Sequence, residues 1–368
     1  SFRQREKEKK GEEEEFCLEL CNTSLDVLLL PKRDDRTAAI QAGLLRASPK
    51  FKHNSLSNQT SMVWWEEALV AAFFGVVIGG PILCIILTLV FALLGTWTQL
   101  VVCIFVNFVL CVHPLPITDS FAQTGWVVRF SKMVYTYFSY RFIWSGDCWE
   151  KCKNAPCWIG AAPPHGALPI ANILCMPSIN CATRPFLGAP ASVVAYTPFL
   201  RYLLLFGYCP VSGPAMTKAC LSGNCVGIVP DGIAGIFTDS NQEEEVKLLH
   251  RKGLAKLCLK HGLTVVPAYS HGNTDAFHTW YDKWGIMEWL SRKFRVSLFI
   301  PYGRWGLPIP FRCNITMAYA DPITPARKPN PTQEEIDALH QQILEGMRHC
   351  FDSYKAALGH GHKKLVFV

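Results

Sequence analysis

The longest apolar segment of the chain covers residues 68–112 and contains no charged residue over 45 positions. A helix needs about 20 apolar residues to cross a membrane, so this segment is long enough for two passes. Its most polar interruption is at residues 95–99, where we predict a turn; Gly79-Gly80-Pro81 is a second candidate for a turn or a kink. We therefore predict a transmembrane or re-entrant helical hairpin over residues 61–113. One long tilted span with a buried core helix is the alternative.

The residues that flank this segment predict its orientation. Trp64 and Trp65 precede it, as aromatic residues do at membrane interfaces. Basic residues lie outside it on both sides, namely Lys50, Lys52, Arg129 and Lys132. Because the connecting turn carries no charge, the positive-inside rule predicts that both ends of the chain lie in the cytosol. In that orientation the sequons that begin at Asn22, Asn58 and Asn314 stay unglycosylated.

The rest of the chain divides into a polar tail and a folded domain. Residues 1–60 mix charged residues with Ser, Asn and Gln and lack a sustained apolar period, which predicts a disordered tail. Over residues 114–368, short β-type runs alternate with helical ones, which indicates an α/β domain. The predicted strands are residues 192–195, 225–229, 263–269 and 313–319. The predicted helices are residues 167–175, 198–206, 251–261 and 332–358, and the last is opened by a capping box of Thr332 and Glu335.

Composition points to a membrane rather than to nucleic acid. The 368 residues are 50% hydrophobic, and the net charge of +7 is spread along the chain without a basic run interleaved with aromatics. An anionic membrane surface is therefore the expected partner. Most of the 16 cysteines lie singly in apolar segments, so we expect them to be reduced and buried. Cys148, Cys152 and Cys157 cluster, but they lack a nearby fourth ligand, and we predict no metal site.

The turn Pro163-Pro164-His165-Gly166 contains the best candidate for a catalytic group. Its two prolines disfavour a helix and place His165 on a rigid loop between an apolar run and a predicted helix. Because imidazole gains and loses a proton near neutral pH, a histidine on a strand-to-helix turn suits a general base. Taken alone, the tetrapeptide is more typical of a plain loop whose histidine faces solvent than of a catalytic site. The surrounding sequence therefore has to distinguish the two interpretations.

A basic helix is the second candidate feature. Lys252, Lys256 and Lys260 recur every four residues after Arg251. A lysine stripe is usually a solvated helix face, but this helix leads into a strand that ends in Ser270-His271-Gly272-Asn273. Since sites in α/β domains gather at strand ends, these cations are candidates for binding the phosphates of a carrier such as coenzyme A.

Two further turns follow predicted strands. Pro230-Asp231-Gly232 supplies a carboxylate that can orient His165, with a purely structural turn as the alternative. Residues 268–272 approximate the Gly-x-Ser-x-Gly elbow around Ser270, with Asp321 and His340 downstream in hydrolase order. A lipase-like hydrolase is therefore a competing hypothesis, although Ala268 replaces the first glycine of that motif.

Several of these motifs, in the same order, resemble the type-2 diacylglycerol acyltransferase family, which includes monoacylglycerol and wax-ester synthesising members. The family has a membrane hairpin, a His-Pro-His-Gly or Glu-Pro-His-Ser turn, and a Pro-Gly-Gly turn with a nearby Glu. An Arg-Lys-Gly-Phe sequence, a Leu-Val-Pro strand and a Phe-Gly-Asn-Thr loop follow. The segments of this chain that resemble these five motifs are residues 163–166, 230–235, 251–254, 265–267 and 271–274. The loops are closer to those of algal and protist members than to those of animal members.

The chain departs from the family pattern near the proposed base. Pro163 replaces the first His or Glu of the turn, so His165 is its only histidine. Gly235 stands where the family usually has Glu, and Asp231 stands where a Gly is usual. The acidic partner of the histidine has therefore either moved by four residues or been lost.

The resemblance implies an acyltransferase-like mixed α/β domain that follows an N-terminal membrane-embedded helical hairpin. It also implies acyl transfer from acyl-CoA to the free hydroxyl of diacylglycerol. His165 is then the general base, Asp231 is its partner, and the Gly166 amide, at the start of the following helix, stabilises the oxyanion. The implied substrate-binding residues are Pro164, Arg251, Lys252, Gly253 and Asn273, with Arg251 and Lys252 on the CoA phosphates.

The implied partners are acyl-CoA as co-substrate, diacylglycerol and a lipid membrane. The expected location is the endoplasmic reticulum membrane, with the lipid droplet surface as a second location and a homo-oligomer as one option. No cofactor, metal ion or nucleic acid is implied. The open alternatives are transfer to monoacylglycerol or a fatty alcohol, and a catalytically inactive or retuned lipid-binding homologue that lacks the carboxylate at Gly235.

Overall fold

A computed structural model describes residues 28–30, 59–115, 121, 124–145, 147–182, 185–237, 243–280, 282, 284–294 and 299–368. Most of the predicted disordered tail, residues 1–60, lies outside the described residues. The same holds for the sequons at Asn22 and Asn58.

Two apolar helices form a hairpin that precedes the α/β domain. Helix α1 spans Trp64–Leu94 and helix α2 spans Trp97–Val112, so the turn lies at residues 95–96, inside the predicted interval. Thr96 and Gln99 form a capping box that starts α2. Asn107 Nδ2 donates a hydrogen bond to Thr88 Oγ1 at 3.0 Å and links the two helices. By length and composition, α1 can cross a membrane, whereas α2 has only 16 residues.

Gly79-Gly80-Pro81 neither turns nor breaks α1. The helix is continuous through Pro81, and the glycines instead allow it to pack closely on the domain. A Cβ atom at Gly79 would lie 2.8 Å from Pro308 Cγ, and one at Gly80 would lie 2.8 Å from Phe199 Cγ. Larger residues at these two positions would push the helix away from the domain.

Polar contacts attach both ends of the hairpin to the domain. Near the start of α1, Glu67 forms ion pairs with Arg304 at 2.5 Å and with Arg312 at 3.1 Å. At the end of α2, Arg201 Nη1 donates a hydrogen bond to the backbone oxygen of Leu110 at 3.1 Å. A cation is favourable there because the last carbonyl groups of a helix carry partial negative charge.

The strands of the domain are β1 Leu28–Leu30, β2 Arg141–Ser145, β3 Ile159–Ala161, β4 Phe186–Gly188, β5 Cys225–Ile228, β6 Glu243–Val246, β7 Val265–His271, β8 His278–Thr279, β9 Pro301–Tyr302, β10 Thr316–Tyr319 and β11 Lys364–Phe367. Seven of them form the central sheet in the order β1-β2-β10-β7-β3-β5-β4, and β6 with β11 and β8 with β9 form two small sheets. Strands β3, β4, β5 and β7 are parallel, so their carboxyl ends lie at one edge of the sheet, whereas β10 is antiparallel to β7.

The other helices are α3 Gly125–Tyr137, α4 Cys148–Asn154, α5 Ile170–Ala182, α6 Gly213–Leu221, α7 Gly253–His261, α8 Ile286–Phe294 and α9 Gln333–Tyr354. Helices α6, α7 and α9 pack on one face of the sheet, in a core with Val226 and Val265. Helices α1, α3 and α5 contribute to the core on the other face, with Trp144 and Val266. Consecutive residues such as Val265 and Val266 enter opposite cores because side chains alternate along a strand. The predicted mixed α/β class is confirmed.

Three element predictions need correction. Residues 192–195 form part of a 3-10 helix, Ser192–Tyr196, rather than a strand, because a four-residue apolar run does not distinguish the two by its period. The helix predicted at residues 198–206 is also of the 3-10 type, Leu200–Phe206. Helix α5 begins at Ile170 rather than at residue 167, since Pro169 disfavours the helical conformation of the residue before it.

Candidate active site

The turn that carries His165 lies at the carboxyl edge of the parallel strands. It follows β3 and precedes α5. The next strand in the sheet supports it, since the backbone N–H of Ser270 in β7 donates to the Pro163 oxygen at 2.8 Å. On the other side, the Ala162 N–H donates to the Ile228 oxygen at the end of β5 at 3.1 Å. The turn is thus held by both neighbours of β3.

Asn273 fixes the shape of this turn. Its side chain is 1% exposed, and Nδ2 donates to the backbone oxygens of Pro164 at 3.2 Å, His165 at 2.9 Å and Leu168 at 3.2 Å. Its Oδ1 accepts a hydrogen bond from the Ala171 amide at 3.0 Å, in the first turn of α5. One buried side chain therefore connects the end of β7 to the turn and to the helix after it.

The ring of His165 is held in one tautomer. Nδ1 lies 2.9 Å from the Gly166 oxygen, and because a carbonyl oxygen only accepts, Nδ1 must carry the hydrogen. In the neutral ring, Nε2 then has the free lone pair. Among the described residues Nε2 has no hydrogen-bond partner, and the side chain is partly exposed. The ring can therefore accept a proton from a bound molecule.

Gly166 adopts a conformation that suits glycine. Its φ is +58°, and a Cβ atom would lie 3.1 Å from Asn273 Nδ2. The prediction that Gly166 starts the following helix is wrong, since α5 begins four residues later at Ile170. A helix dipole therefore does not act at the Gly166 amide. This N–H makes no hydrogen bond to any residue that the structure describes, and Gly166 is buried.

Asp231 lies beside His165 but contacts its backbone rather than its ring. The carboxylate is fully buried, and Oδ2 accepts a hydrogen bond from the His165 N–H at 2.9 Å. Oδ1 has no partner within the described part of the chain. Burial raises the pKa of Asp231, partly offset by the nearby His165 and by the hydrogen bond from its amide.

Gly235 faces the same small space. A Cβ atom added to Gly235 would collide with Asp231 Oδ2, would lie 2.7 Å from Asp231 Cγ and would lie 3.1 Å from His165 Cβ. A side chain at position 235 would therefore point to where the Asp231 carboxylate now lies. The two departures from the family pattern that the sequence shows are thus spatially linked.

The two basic side chains at the start of α7 bind other groups of the protein. Arg251 Nη1 donates to the backbone oxygen of Asp231 at 2.8 Å. Lys252 forms an ion pair with Asp337 of α9 at 2.7 Å. Gly253 begins α7. The site residues His165, Gly166, Pro164, Asp231, Asn273 and Arg251 are joined by hydrogen bonds, whereas Lys252 lies at the periphery and turns towards α9.

A buried ion pair supports the loop after Asn273 and has no clear signal in the sequence. Lys363 Nζ lies 2.7 Å from Glu244 Oε1, with both side chains less than 8% exposed. Thr274 Oγ1 donates to the same carboxylate oxygen at 3.2 Å. These residues join β6 and the carboxyl-terminal segment to the loop that follows Asn273. Because 119 positions separate Glu244 from Lys363, only the three-dimensional fold reveals the pair.

The hydrolase hypothesis is wrong for the described structure. Ser270 is inside β7 rather than at an exposed elbow, is 1% exposed, and donates to Met317 Sδ at 3.3 Å. His340 Nε2 contacts the Leu249 oxygen, and Asp321 forms an exposed ion pair with Lys151. Ser270, His340 and Asp321 therefore have separate partners. The neighbouring His271 is no base either, because burial lowers its pKa to about 3.

Sequence comparisons relate the chain to known proteins. The sequence model of the diacylglycerol acyltransferase family matches residues 92–368. The chain is 32% identical to diacylglycerol O-acyltransferase 2 of Rattus norvegicus and of Homo sapiens over 191 residues, which cover 48% of this chain and 49% of each relative. It is 28% identical over 270 residues to diacylglycerol O-acyltransferase 2-like protein 6 of Mus musculus, covering 64% of this chain and 77% of that protein.

The alignments cover only part of the first two relatives, because the chain spans about half of their length. Among solved structures, the 1-acyl-sn-glycerophosphate acyltransferase of Thermotoga maritima aligns with 78% of this chain and 96% of its own. The sequence identity is 15% and the TM-score is 0.40.

Proposed function

The chain belongs to the diacylglycerol acyltransferase family, and we propose that it transfers a fatty acyl group from acyl-CoA to the free hydroxyl of diacylglycerol. The products are triacylglycerol and free CoA. The observation that carries this proposal is the His165 ring, whose Nδ1–H is bound to the Gly166 oxygen while Nε2 is free to accept a proton.

The proposed reaction is a direct attack of the acceptor on the thioester. His165 Nε2 removes the hydroxyl proton as the acceptor oxygen bonds to the thioester carbonyl carbon. The carbon–sulfur bond then breaks, and the CoA thiolate leaves and takes the proton from the imidazolium. General base catalysis of this kind contributes about 10² to 10⁴ in rate. The free N–H of Gly166 is the proposed donor to the oxyanion that forms on the carbonyl oxygen.

Asp231 acts in this proposal as a positioning residue. It holds the backbone of His165 through the hydrogen bond that the His165 N–H donates to Oδ2. Because its carboxylate fills the space that a side chain at Gly235 would enter, we propose that Asp231 replaces the family's Glu. This argues against the inactive lipid-binding homologue, which was suggested only by the missing Glu.

The proposed setting is a membrane. Much of the hairpin's apolar surface is exposed, including Leu93, Leu94 and Phe105, which are 80%, 85% and 64% exposed. Such a large exposed apolar surface is unfavourable in water and suits the interior of a bilayer. We place both ends of the chain in the cytosol and the protein in the endoplasmic reticulum membrane, with the lipid droplet surface as a second site.

Four tryptophans between residues 280 and 305 are 57% to 80% exposed. They are Trp280, Trp284, Trp289 and Trp305, and we call this set the aromatic patch. Arg304, next to Trp305, forms the ion pair with Glu67 of α1. Lys293 lies over the ring of Trp289 at 4.6 Å. Tryptophan mixed with basic residues is typical of surfaces that rest at a membrane interface, so we propose that the patch contacts the lipid headgroups.

The experiment that tests the proposed function is an acceptor panel. Microsomes that express the chain are supplied with labelled acyl-CoA and with diacylglycerol, monoacylglycerol or a fatty alcohol. We expect labelled triacylglycerol as the main product above control microsomes. Greater transfer to monoacylglycerol or alcohol would change the assigned acceptor, and no transfer to any of the three would contradict acyltransferase activity.

A further inference from the structure

A basic groove lies between two helices on the face of the sheet that carries α9. It has a cavity volume of about 670 Å³ and is bordered by α6 and α7. Lys218, Lys256, Lys260 and His261 line this α6–α7 groove, and no carboxylate does. Among the described residues none of the three lysines has an ion-pair partner, in contrast to Lys252, which is held by Asp337. The groove thus presents three uncompensated positive charges.

A buried hydroxyl in the same groove lacks a partner. Thr217 lines the cavity and is 7% exposed, and its Oγ1 makes no hydrogen bond to any residue that the structure describes. Within a helix, threonine usually donates to the backbone oxygen one turn earlier. Buried polar groups are nearly always hydrogen-bonded in folded proteins. Because Oγ1 itself has almost no accessible surface, the Thr217 side chain must rotate before it can donate a hydrogen bond to a ligand in the groove.

The groove begins next to the proposed active site. Each of α6 and α7 ends four residues before the strand that follows it, so both helices run back along the sheet from its carboxyl edge. Gly253, at the start of α7, lies two residues after Arg251, which donates to Asp231, and Asp231 binds His165. With nine residues, α7 extends roughly 13 Å from that edge. An elongated molecule can therefore reach from His165 into the groove.

We propose that the α6–α7 groove binds the phosphate-bearing end of acyl-CoA, with Lys218, Lys256 and Lys260 on its phosphates and Thr217 donating a hydrogen bond. The inference rests on the proposed function, because acyl-CoA is the donor in that reaction. The phosphate site is thereby assigned to Lys256 and Lys260, one to two turns further along α7, and to Lys218 on the facing helix. Arg251 and Lys252 are no longer assigned to it, because their side chains bind other groups of the protein. The thioester end extends from there towards His165.

The first test compares ligands with and without the ribose 3′-phosphate. The full chain in detergent is titrated with CoA and with dephospho-CoA, and KM is measured with the two acyl-CoA forms. We expect the unmodified chain to prefer the phosphorylated form. In Lys256→Gln/Lys260→Gln, CoA affinity falls about tenfold, the preference shrinks, and KM rises more than kcat falls. Lys256→Arg/Lys260→Arg keeps the charges and retains the affinity.

Three variants separate the groove from general charge effects. Lys153→Gln removes one charge from an exposed position on α4 and is expected to leave CoA affinity unchanged. Thr217→Ser keeps the hydroxyl and Thr217→Val removes it at nearly constant volume, so CoA affinity should fall only in the second. Thermal unfolding of each variant distinguishes a lost ligand contact from a lost fold.

The outcomes distinguish this proposal from the proposed function. CoA affinity and KM that are unchanged in the lysine variants, with transfer activity present, would overturn the groove assignment and leave the acyltransferase proposal intact. CoA binding that depends on the lysines without any transfer activity would support the groove and contradict the enzyme. Loss of binding to anionic phospholipid vesicles with unchanged CoA affinity would overturn the proposal, because the groove would then contact lipid headgroups instead.

Discussion

The carboxylate of Asp231 accepts a hydrogen bond from the backbone N–H of His165 at 2.9 Å, across 66 positions of sequence. The contact fixes the backbone that carries the ring, while the Gly166 oxygen fixes the ring itself. Position and tautomer of the candidate base are thus controlled by separate groups. A substitution can therefore change the position of the ring without changing its tautomer, or the tautomer without changing the position.

The first prediction concerns moving the carboxylate from position 231 to position 235. Gly235→Glu alone should be destabilising and inactive, because its Cβ would collide with Asp231. In Asp231→Gly/Gly235→Glu the collision is removed and a carboxylate returns to the same space. We expect the double variant to regain at least one tenth of the original rate. Asp231→Gly alone is the control, and a double variant no better than either single one would refute the exchange.

The second prediction concerns pH and stability. Burial raises the pKa of Asp231 in the folded state, so folding favours its neutral form. Its stabilising contribution is then present below the unfolded pKa and is lost as pH rises through the raised folded value. Relative to Asp231→Asn, the unmodified chain should lose stability as pH rises above the usual titration range of a free carboxyl group. Thermal unfolding of both in the same detergent checks this, and parallel curves would show that the carboxyl is not perturbed.

The third prediction concerns Asn273. Asn273→Ala leaves three backbone oxygens of the turn region and the Ala171 amide without their buried partner, at a cost of about 1–3 kcal/mol in the free energy of unfolding. Displacement of the ring should lower kcat about a hundredfold. Asn273→Asp should be worse, since a carboxylate has no N–H to donate. Asn224→Ala serves as the matched control, and a normal kcat in Asn273→Ala would contradict the positioning role.

The fourth prediction concerns the aromatic patch. In vesicles that contain brominated phospholipid, contact with the headgroup region should quench the fluorescence of Trp284 and Trp305. Trp284→Phe/Trp305→Phe should therefore reduce the quenched fraction of the total emission. Trp158→Phe is the control, because Trp158 is 0% exposed and its emission should not be quenched. An unchanged quenched fraction in the double variant would place the patch in water.

The turn at His165 and the strand ends around it could be predicted from the sequence because proline and glycine mark those turns strongly. The hairpin turn at residues 95–96 was predictable for a similar reason, since polar residues interrupt a long apolar run. The role of Gly79 and Gly80 was not, because their packing partners, Pro308 and Phe199, are more than a hundred residues away.

The inner geometry of the site depends on distances across the sheet, which a linear pattern does not contain. The sequence identifies both Asp231 and Gly235 as departures, but only the fold shows that they share one space. The lysine stripe was visible, yet the sequence did not show that Lys252 is paired while Lys256 and Lys260 face Thr217 and Lys218 across a groove. Helix α6 was not predicted, although Ser212 caps its start and Pro214 lies in its first turn.

The most direct test of the proposed chemistry is the rate of acyl transfer in His165→Gln. Glutamine keeps the backbone N–H that binds Asp231 but cannot act as a base at neutral pH. Microsomes with this variant are compared with unmodified microsomes and with those carrying His362→Ala, an exposed histidine outside the site, at equal protein levels. We predict that triacylglycerol formation falls by about 10² to 10⁴ in His165→Gln and stays normal in His362→Ala. A normal rate in His165→Gln would contradict the assignment of His165 as the general base.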